Sequence, residues 1–277
     1  MTLQVLVVSK GHDYDHDSFR DMFASFSDIE VTMVEHPAAQ SVLASTHVDH
    51  YDVVFFYDMC GIPGVPLPHD NASASGAPTA EYAAALEALV ASGTGLLLVN
   101  HATVSWANWP LWREITGSSF MLSGGELRGK QVPGSGYRGG HGPLQNATIK
   151  LLPQIEHPVL AGLEGGLSIT DELYLKTDLY GPHVLPLLRG DYEFLVENFT
   201  APPLAPAEEQ RTWQHPPGSD LIVWANAVQS SPVVVSDVGD GPLAFENPAY
   251  RRLISNALHW LATSEAREWA ARIAAPE

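Results

Sequence analysis

The chain has 277 residues and sets 14 Lys+Arg against 32 Asp+Glu, a formal net charge of −18 with histidine neutral. A surface of that sign repels phosphate backbones and anionic lipid, so composition argues against nucleic-acid and membrane partners and for a small ligand that is not strongly anionic. With 45% hydrophobic and 17% charged residues the chain can bury a sizeable core, and its one cysteine, Cys60, excludes an intrachain disulfide framework and a cysteine-rich zinc site.

In chain order, Leu3 to Val8 is a nearly continuous aliphatic run of the kind that forms a strand buried on both faces. Met1 to Gly11 as a whole reads as strand and turn, without the basic start and small-residue cleavage site of a secretory leader. No apolar run reaches the roughly 18 to 20 residues that span a bilayer, so the expectation is a cytoplasmic protein. Asp15 to Phe26 carries Phe19, Met22, Phe23 and Phe26 at helical spacing behind an acidic first turn. Ile29 to Val34 and Tyr51 to Tyr57 read as strands with a short helix between them. Thr79 can cap a helix running to Ser92, and Gly93 to Gly95 breaks it ahead of a strand at Leu96 to Val99. This alternation predicts parallel pairing.

Beyond His101 the pattern loosens. A tryptophan-rich helix is expected around Trp106 to Ile115, then a long ordered loop over the glycine-rich Gly124 to Gly142. Further strands are read at Ala147 to Leu151, Leu173 to Lys176, His183 to Leu188, Leu221 to Ala225 and Pro232 to Val235. Residues 201–219 hold Pro202, Pro203, Pro206, Pro216 and Pro217, which predicts an irregular insertion with neither helix nor strand. A closing helix starts at Asn247-Pro248, an N-cap followed by an N1 proline, and carries Tyr250, Leu253, Ile254, Ala257, Leu258 and Leu261 on one face. Without repeats or a separating linker, residues 1–277 read as one α/β domain: an open, mostly parallel sheet with helices on both faces.

Such sheets bind ligands outside the carboxyl ends of their strands. There the sequence places Gly11-His12-Asp13, Asp58-Met59-Cys60-Gly61 and Asn100-His101-Ala102, bringing imidazole, carboxylate, thiol and amide to one edge. Cys60 could be a nucleophile, but Gly61-Ile62-Pro63 after it predicts an open loop rather than a nucleophile turn, and a small buried hydrophobe is the plainer reading. Trp106, Trp109 and Trp112 recur every three residues, as core helices do; Trp106, nearest the strand end, could instead offer a face on which a sugar ring stacks. Asp171, Glu172 and Tyr174 put two carboxyls beside a phenol. Adjacent strand residues face opposite ways, so one of the two acids is expected to be structural. His141 adds an imidazole from the glycine-rich loop, and His157, before Pro158, reads as a turn residue. Glycosylation patterns at Asn71, Asn146 and Asn198 carry no weight without a leader.

Taken together, Val5 to His12, Gly93 to Thr103, Trp112 to Phe120, His141 to Pro143, Glu156 to Leu163, Asp171 to Tyr174 and Asn247 to Trp260 resemble, in order and spacing, the trehalose-utilisation (ThuA-like) family of the class I glutamine amidotransferase-like superfamily. The resemblance implies a flavodoxin-like sheet and a role in carbohydrate metabolism on disaccharides or glycosides oxidised to keto sugars. Two features depart from it: Gly239-Asp240 stands where the family commonly has Gly-His, and the Gly124 to Gly142 loop is long. Asn100-His101-Ala102 occupies the neighbourhood of the amidotransferase cysteine, which argues against glutamine hydrolysis.

The reading is an enzyme that moves a proton α to a carbonyl of a sugar derivative, of isomerase, lyase or hydrolase type, with His12, His101 and Glu172 catalytic and His141, Trp106, Asp171, Tyr174 and Asp240 binding substrate. No cofactor is demanded, although imidazole plus carboxylate suits Zn²⁺ or Mn²⁺. The partner is a small carbohydrate, with a homo-oligomer allowed. The alternatives are a sugar-binding or regulatory module that has lost its chemistry, and an amidase or acyl hydrolase using Cys60.

Overall fold

The computed structural model describes residues 2–62 and 76–275; Pro63 of the expected open loop and the Asn71 pattern lie outside them. The elements run β1 (Leu3–Lys10), α1 (His16–Ala24), β2 (Ile29–Glu35), α2 (Ala38–Leu43), β3 (Val53–Asp58), α3 (Ala80–Ser92), β4 (Gly95–Val99) and α4 (Pro110–Thr116). Three short strands follow, β5 (Gly125–Leu127), β6 (Lys130–Val132) and β7 (Gly136–Arg138), then β8 (Ala147–Pro153), β9 (Leu167–Asp171), β10 (Leu173–Leu175) and β11 (Leu185–Gly190). The chain ends with α5 (Ala207–Thr212), β12 (Leu221–Val228), β13 (Ser231–Ser236), α6 (Pro242–Phe245), α7 (Pro248–Leu261) and α8 (Ser264–Ile273).

Nine strands form one sheet in the order β2-β1-β3-β4-β13-β12-β11-β8-β9. The pairs from β2 to β13 are parallel, as the βα alternation predicts, and those from β13 to β9 are antiparallel. Counting alternations outward from β13, β11 and β9 run in the same direction as β1, β3 and β4. The carboxyl end of β9, where Asp171 stands, therefore opens onto the same edge as the ends of β1, β3, β4 and β13.

Both faces of the parallel half are covered, because its strands are apolar in both directions. Val5 and Val7 of β1 face Phe19 and Phe23 of α1 and Leu258 and Leu261 of α7, while Leu6 and Val8 face Leu43 of α2 and Leu86, Leu89 and Val90 of α3. Each such side chain contributes about 1.5–3 kcal/mol by leaving water. Asp15, Thr79 and Asn247 cap α1, α3 and α7 through side-chain oxygens that accept from helix N–H groups.

The structure corrects several expectations. The tryptophan-rich helix begins only at Pro110; Trp106 lies before it in a turn, at φ +52°. The glycine-rich stretch is not all loop, since β5 pairs with β6 and β7 with β10. The proline-rich insertion contains the six-residue helix α5, which the clustered prolines flank but do not enter. Strand β9 and helix α8, which packs on β12 and β13, add to the elements expected from the sequence.

Candidate active site

His12 follows β1 directly. Gly11 before it has φ +92°, and a Cβ there would stand 1.8 Å from the Met59 carbonyl oxygen, so only glycine lets the exits of β1 and β3 pass this closely. His101 sits in a 3₁₀ turn after β4, entered through Asn100 at φ +51°, a conformation that asparagine tolerates better than most residues. The His101 N–H donates to Asn100 Oδ1 at 2.6 Å, and Asn100 Nδ2 donates to the Asp237 carbonyl at 3.2 Å, which fixes the amide's orientation. The His12 and His101 rings stack with centroids 4.5 Å apart, and His141 meets His12 edge-on at 4.9 Å.

Asp240 arrives after β13. Its oxygen Oδ1 lies 3.7 Å from His101 Nδ1. Gly239 before it has φ +124°, and a Cβ there would meet the Tyr250 hydroxyl at 2.1 Å. Asp171 does not share the cavity with Glu172: its carboxylate accepts from the N–H groups of Glu172, Gly239 and Asp240. It thereby fixes the turn that carries Asp240, although burial, with Glu172 and Asp240 nearby, pushes its carboxyl up.

Glu172 occupies the break between β9 and β10, which frees it from strand alternation. Tyr137 donates to its Oε2 at 2.6 Å, and the Tyr174 hydroxyl makes a short hydrogen bond to Oε1 while lying 3.0 Å from Asn100 Oδ1. Tyr174 has one proton and two oxygens facing it. Asn100 Oδ1 can only accept, so all contacts are satisfied when Glu172 is protonated, donates to the Tyr174 oxygen, and Tyr174 donates onward to Asn100. Burial first, then the Asp240 charge, raises the Glu172 pKa in the same direction. His12 moves the opposite way: burial and the His101 imidazole lower it to about 4, leaving it neutral at pH 7. For Asp240, burial acts upward, but the His101 imidazole 3.7 Å away, with those of His12 and His141, outweighs it and holds the carboxyl below its usual range.

These side chains surround a cavity of about 330 Å³, within the size range of small-molecule sites. His12, His101, His141, Glu172, Tyr137 and Tyr174 form its polar wall. Met59, Val104, Phe120, Leu122 and the segment Pro202 to Leu204 of the insertion form the apolar wall. Asp240 and Asp171 line an adjoining pocket that shares His12 and His141. His12, His101 and Asp240 each present a ligand atom within 4.8 Å of the others, and His12 Nδ1 and Asp240 Oδ1 are buried without a hydrogen-bond partner. That donor set can hold a Zn²⁺- or Mn²⁺-like cation.

Trp106, read as a stacking platform, is fully buried between Tyr82 and His36 and does not line the cavity. Cys60 is also buried and stands apart from it: Met59 turns toward the cavity, while Asp58 and Cys60 group with His36. The His36 ring nitrogens face Asp58 and Gln40, at 3.1 and 3.4 Å. Tyr137 and Asn100 were not singled out as site residues. An asparagine at the end of a buried strand was the available signal for Asn100; glycine-rich surroundings hid Tyr137.

A parallel sheet extended by antiparallel strands, with a polar cavity at its carboxyl edge, defines an open α/β protein of the flavodoxin-like kind. PurLQS from Thermotoga maritima is similar at TM-score 0.51 and 10% identity, covering 94% of this chain and 100% of that one. Residues 4–261 match the family described as trehalose utilisation, and the chain belongs to this ThuA family. ThuA-like proteins from Parabacteroides merdae (TM-score 0.63, 15% identity, 95% of this chain and 91% of that) and Bacteroides uniformis (0.61, 16%, 94% and 91%) share the fold. No functionally curated protein matches the sequence. Among the described residues, no helix is long and apolar enough to cross a membrane.

Proposed function

We propose that the protein is an enzyme of carbohydrate metabolism that transfers a proton α to the carbonyl of a keto-sugar derivative of a disaccharide or glycoside. Family membership supports the carbohydrate role. What supports the chemistry is a buried imidazole, His12, whose pKa burial lowers to about 4, on the same small cavity as a buried carboxyl, Glu172, whose pKa burial raises. Opposed pKa shifts of this kind assign base and acid. His12 takes the proton from the carbon next to the ketone, and Glu172 gives its proton to the ketone oxygen. The resulting enediol collapses by reprotonation at the neighbouring carbon, which is isomerisation, or by loss of a β-substituent, which is elimination. Asn100 and Asp240 hold His101 beside His12, and His141 closes the polar wall.

His12, His101 and Asp240 are the residues that would hold a divalent cation; it would supply Lewis-acid polarisation of the ketone oxygen, with His12 then a ligand rather than the base. The test is incubation with oxidised and unoxidised disaccharides, with and without chelator, following product by NMR and binding by calorimetry. Solvent deuterium incorporated next to the ketone is expected. Binding of keto sugars without exchange or product would overturn the catalytic reading in favour of a sugar-binding module.

A further inference from the structure

A second polar cluster lies beneath the same sheet edge, away from the cavity. His36 follows β2, and Asp58 and Cys60 straddle the end of β3; all three are almost fully buried, and their ligand atoms lie within 4.8 Å of one another. The Ser105 hydroxyl donates to the Asp58 carbonyl at 2.8 Å and accepts from the Cys60 N–H at 3.1 Å, which fixes the exit of β3 on which Asp58 and Cys60 stand. The Trp106 N–H also donates to the Cys60 carbonyl at 2.7 Å. Three buried polar atoms around the cluster have no hydrogen-bond partner: Asp58 Oδ1, the Tyr82 hydroxyl and Trp106 Nε1. The rings of Tyr82 and Trp106 flank His36 at 5.9 and 6.2 Å. Each unmade hydrogen bond costs about 1–3 kcal/mol in a buried setting, so three at one place call for a missing component.

We infer that His36, Asp58 and Cys60 form a buried site for a thiophilic divalent cation of the zinc type, separate from the catalytic cavity. One nitrogen, one carboxylate oxygen and one sulfur are the mixed donors such a cation takes. His36 Nε2 and Asp58 Oδ2 are 3.1 Å apart, near the roughly 3.3 Å edge of a tetrahedron with metal–ligand bonds of about 2.0–2.1 Å. His36 Nδ1 faces the Gln40 side chain, whose amide can turn to accept the Nδ1 proton and free Nε2 for the metal. Binding releases the thiol proton of Cys60 to solvent and leaves a thiolate–metal bond. The Tyr82 hydroxyl and Trp106 N–H provide hydrogen bonds for a water at the fourth position. The site ties β2 to β3 just below the turn that carries Met59 into the cavity, so its role is structural.

The test uses the full-length chain folded in the presence of Co²⁺ and, separately, Zn²⁺. Because Cys60 is the sole cysteine, a thiolate-to-cobalt charge-transfer band reports on this site alone. The expected result is that band, with about one zinc per chain retained when both His12 and His101 are replaced by alanine. Cys60→Ala and His36→Gln should lose the band and that equivalent of zinc, and zinc should raise the Tm of the wild-type chain but not of Cys60→Ala. No charge-transfer band in the wild-type chain would overturn the assignment, without reference to the folding of any variant. Zinc content unchanged in Cys60→Ala, or loss of the band on removing only His12 and His101, would overturn it equally.

Discussion

Asp171, at the end of the outermost strand β9, accepts the backbone N–H of Gly239, beyond the central strand β13, at 2.6 Å. Strands at positions five and nine of one sheet meet at their carboxyl ends, so the antiparallel half curls back over the edge. The same carboxylate takes the N–H of Asp240 at 3.3 Å and thereby places an acid that faces His101.

Asp171→Ala removes the acceptor of three backbone N–H groups. Leaving them unsatisfied should lower stability by about 1–3 kcal/mol per stranded donor, with water entering to moderate the sum. Turnover should fall at least about tenfold, because Asp240 is no longer held beside His101. Urea melts and keto-sugar kinetics on the same preparations check this; a stable variant with unchanged turnover would remove Asp171 from the positioning of Asp240.

The Glu172 carboxyl is raised in the fold, so its neutral form contributes stability that is complete below the unfolded pKa and is lost as pH rises through the folded value. Glutamine copies that form: its NH₂ can donate to Tyr174 and its oxygen accept from Tyr137. Glu172→Gln should therefore leave the fold as stable as wild type at acid pH and no less stable above neutrality, while losing about 10²- to 10⁴-fold in rate for want of a transferable proton. The wild-type rate should rise with pH through about 4 as His12 becomes neutral, then fall as Glu172 ionises. Thermal melts across pH, paired with a pH–rate profile, separate the two effects; a rate that keeps rising at alkaline pH would contradict an acid role for Glu172.

The parallel half of the fold was legible because its strands are apolar on both faces and its helices carry caps at Asp15, Thr79 and Asn247. The positions of His12 and His101 follow from that topology alone. Strand β9 escaped notice although Leu167, Ile169 and Asp171 alternate with Ser168 and Thr170, a pattern too short to stand out beside the Asp171-Glu172 pair. Trp106 misled through spacing: its three-residue interval from Trp109 imitates a helix, but Pro110 starts the helix and the residues before it turn. Long-range contacts carry no local signal. Nothing near Tyr137 announces that its hydroxyl reaches Glu172, 35 residues on.

Lys176 and Asp237 form a buried ion pair at 2.5 Å, with the ammonium 4.4 Å from the centre of the Trp224 ring. Burial lowers the lysine pKa and raises that of the aspartate, and each charge opposes the other's shift. Lys176→Met strands a carboxylate and should cost about 3–5 kcal/mol, whereas Lys176→Met with Asp237→Leu should recover most of that loss. Denaturant melts of the two singles and the double complete the cycle. A double variant as unstable as the sum of the singles would show that the two groups do not stabilise one another.

His101→Ala separates an enzyme from a binding module. The variant removes the imidazole stacked on His12 and facing Asp240, while Tyr137, Glu172, Tyr174 and the apolar wall from Met59 to Leu204 remain. Turnover of a keto sugar should fall by about 10²- to 10⁴-fold, with its dissociation constant changed less than about tenfold, because the loss falls on the transition state. If His101 instead serves only to bind, affinity and kcat/KM should fall together with kcat preserved. Rapid-mixing kinetics beside calorimetric titration with the same keto sugar distinguish these outcomes. Chelator-insensitive turnover in the wild type would assign the proton transfer to His12 without a cation.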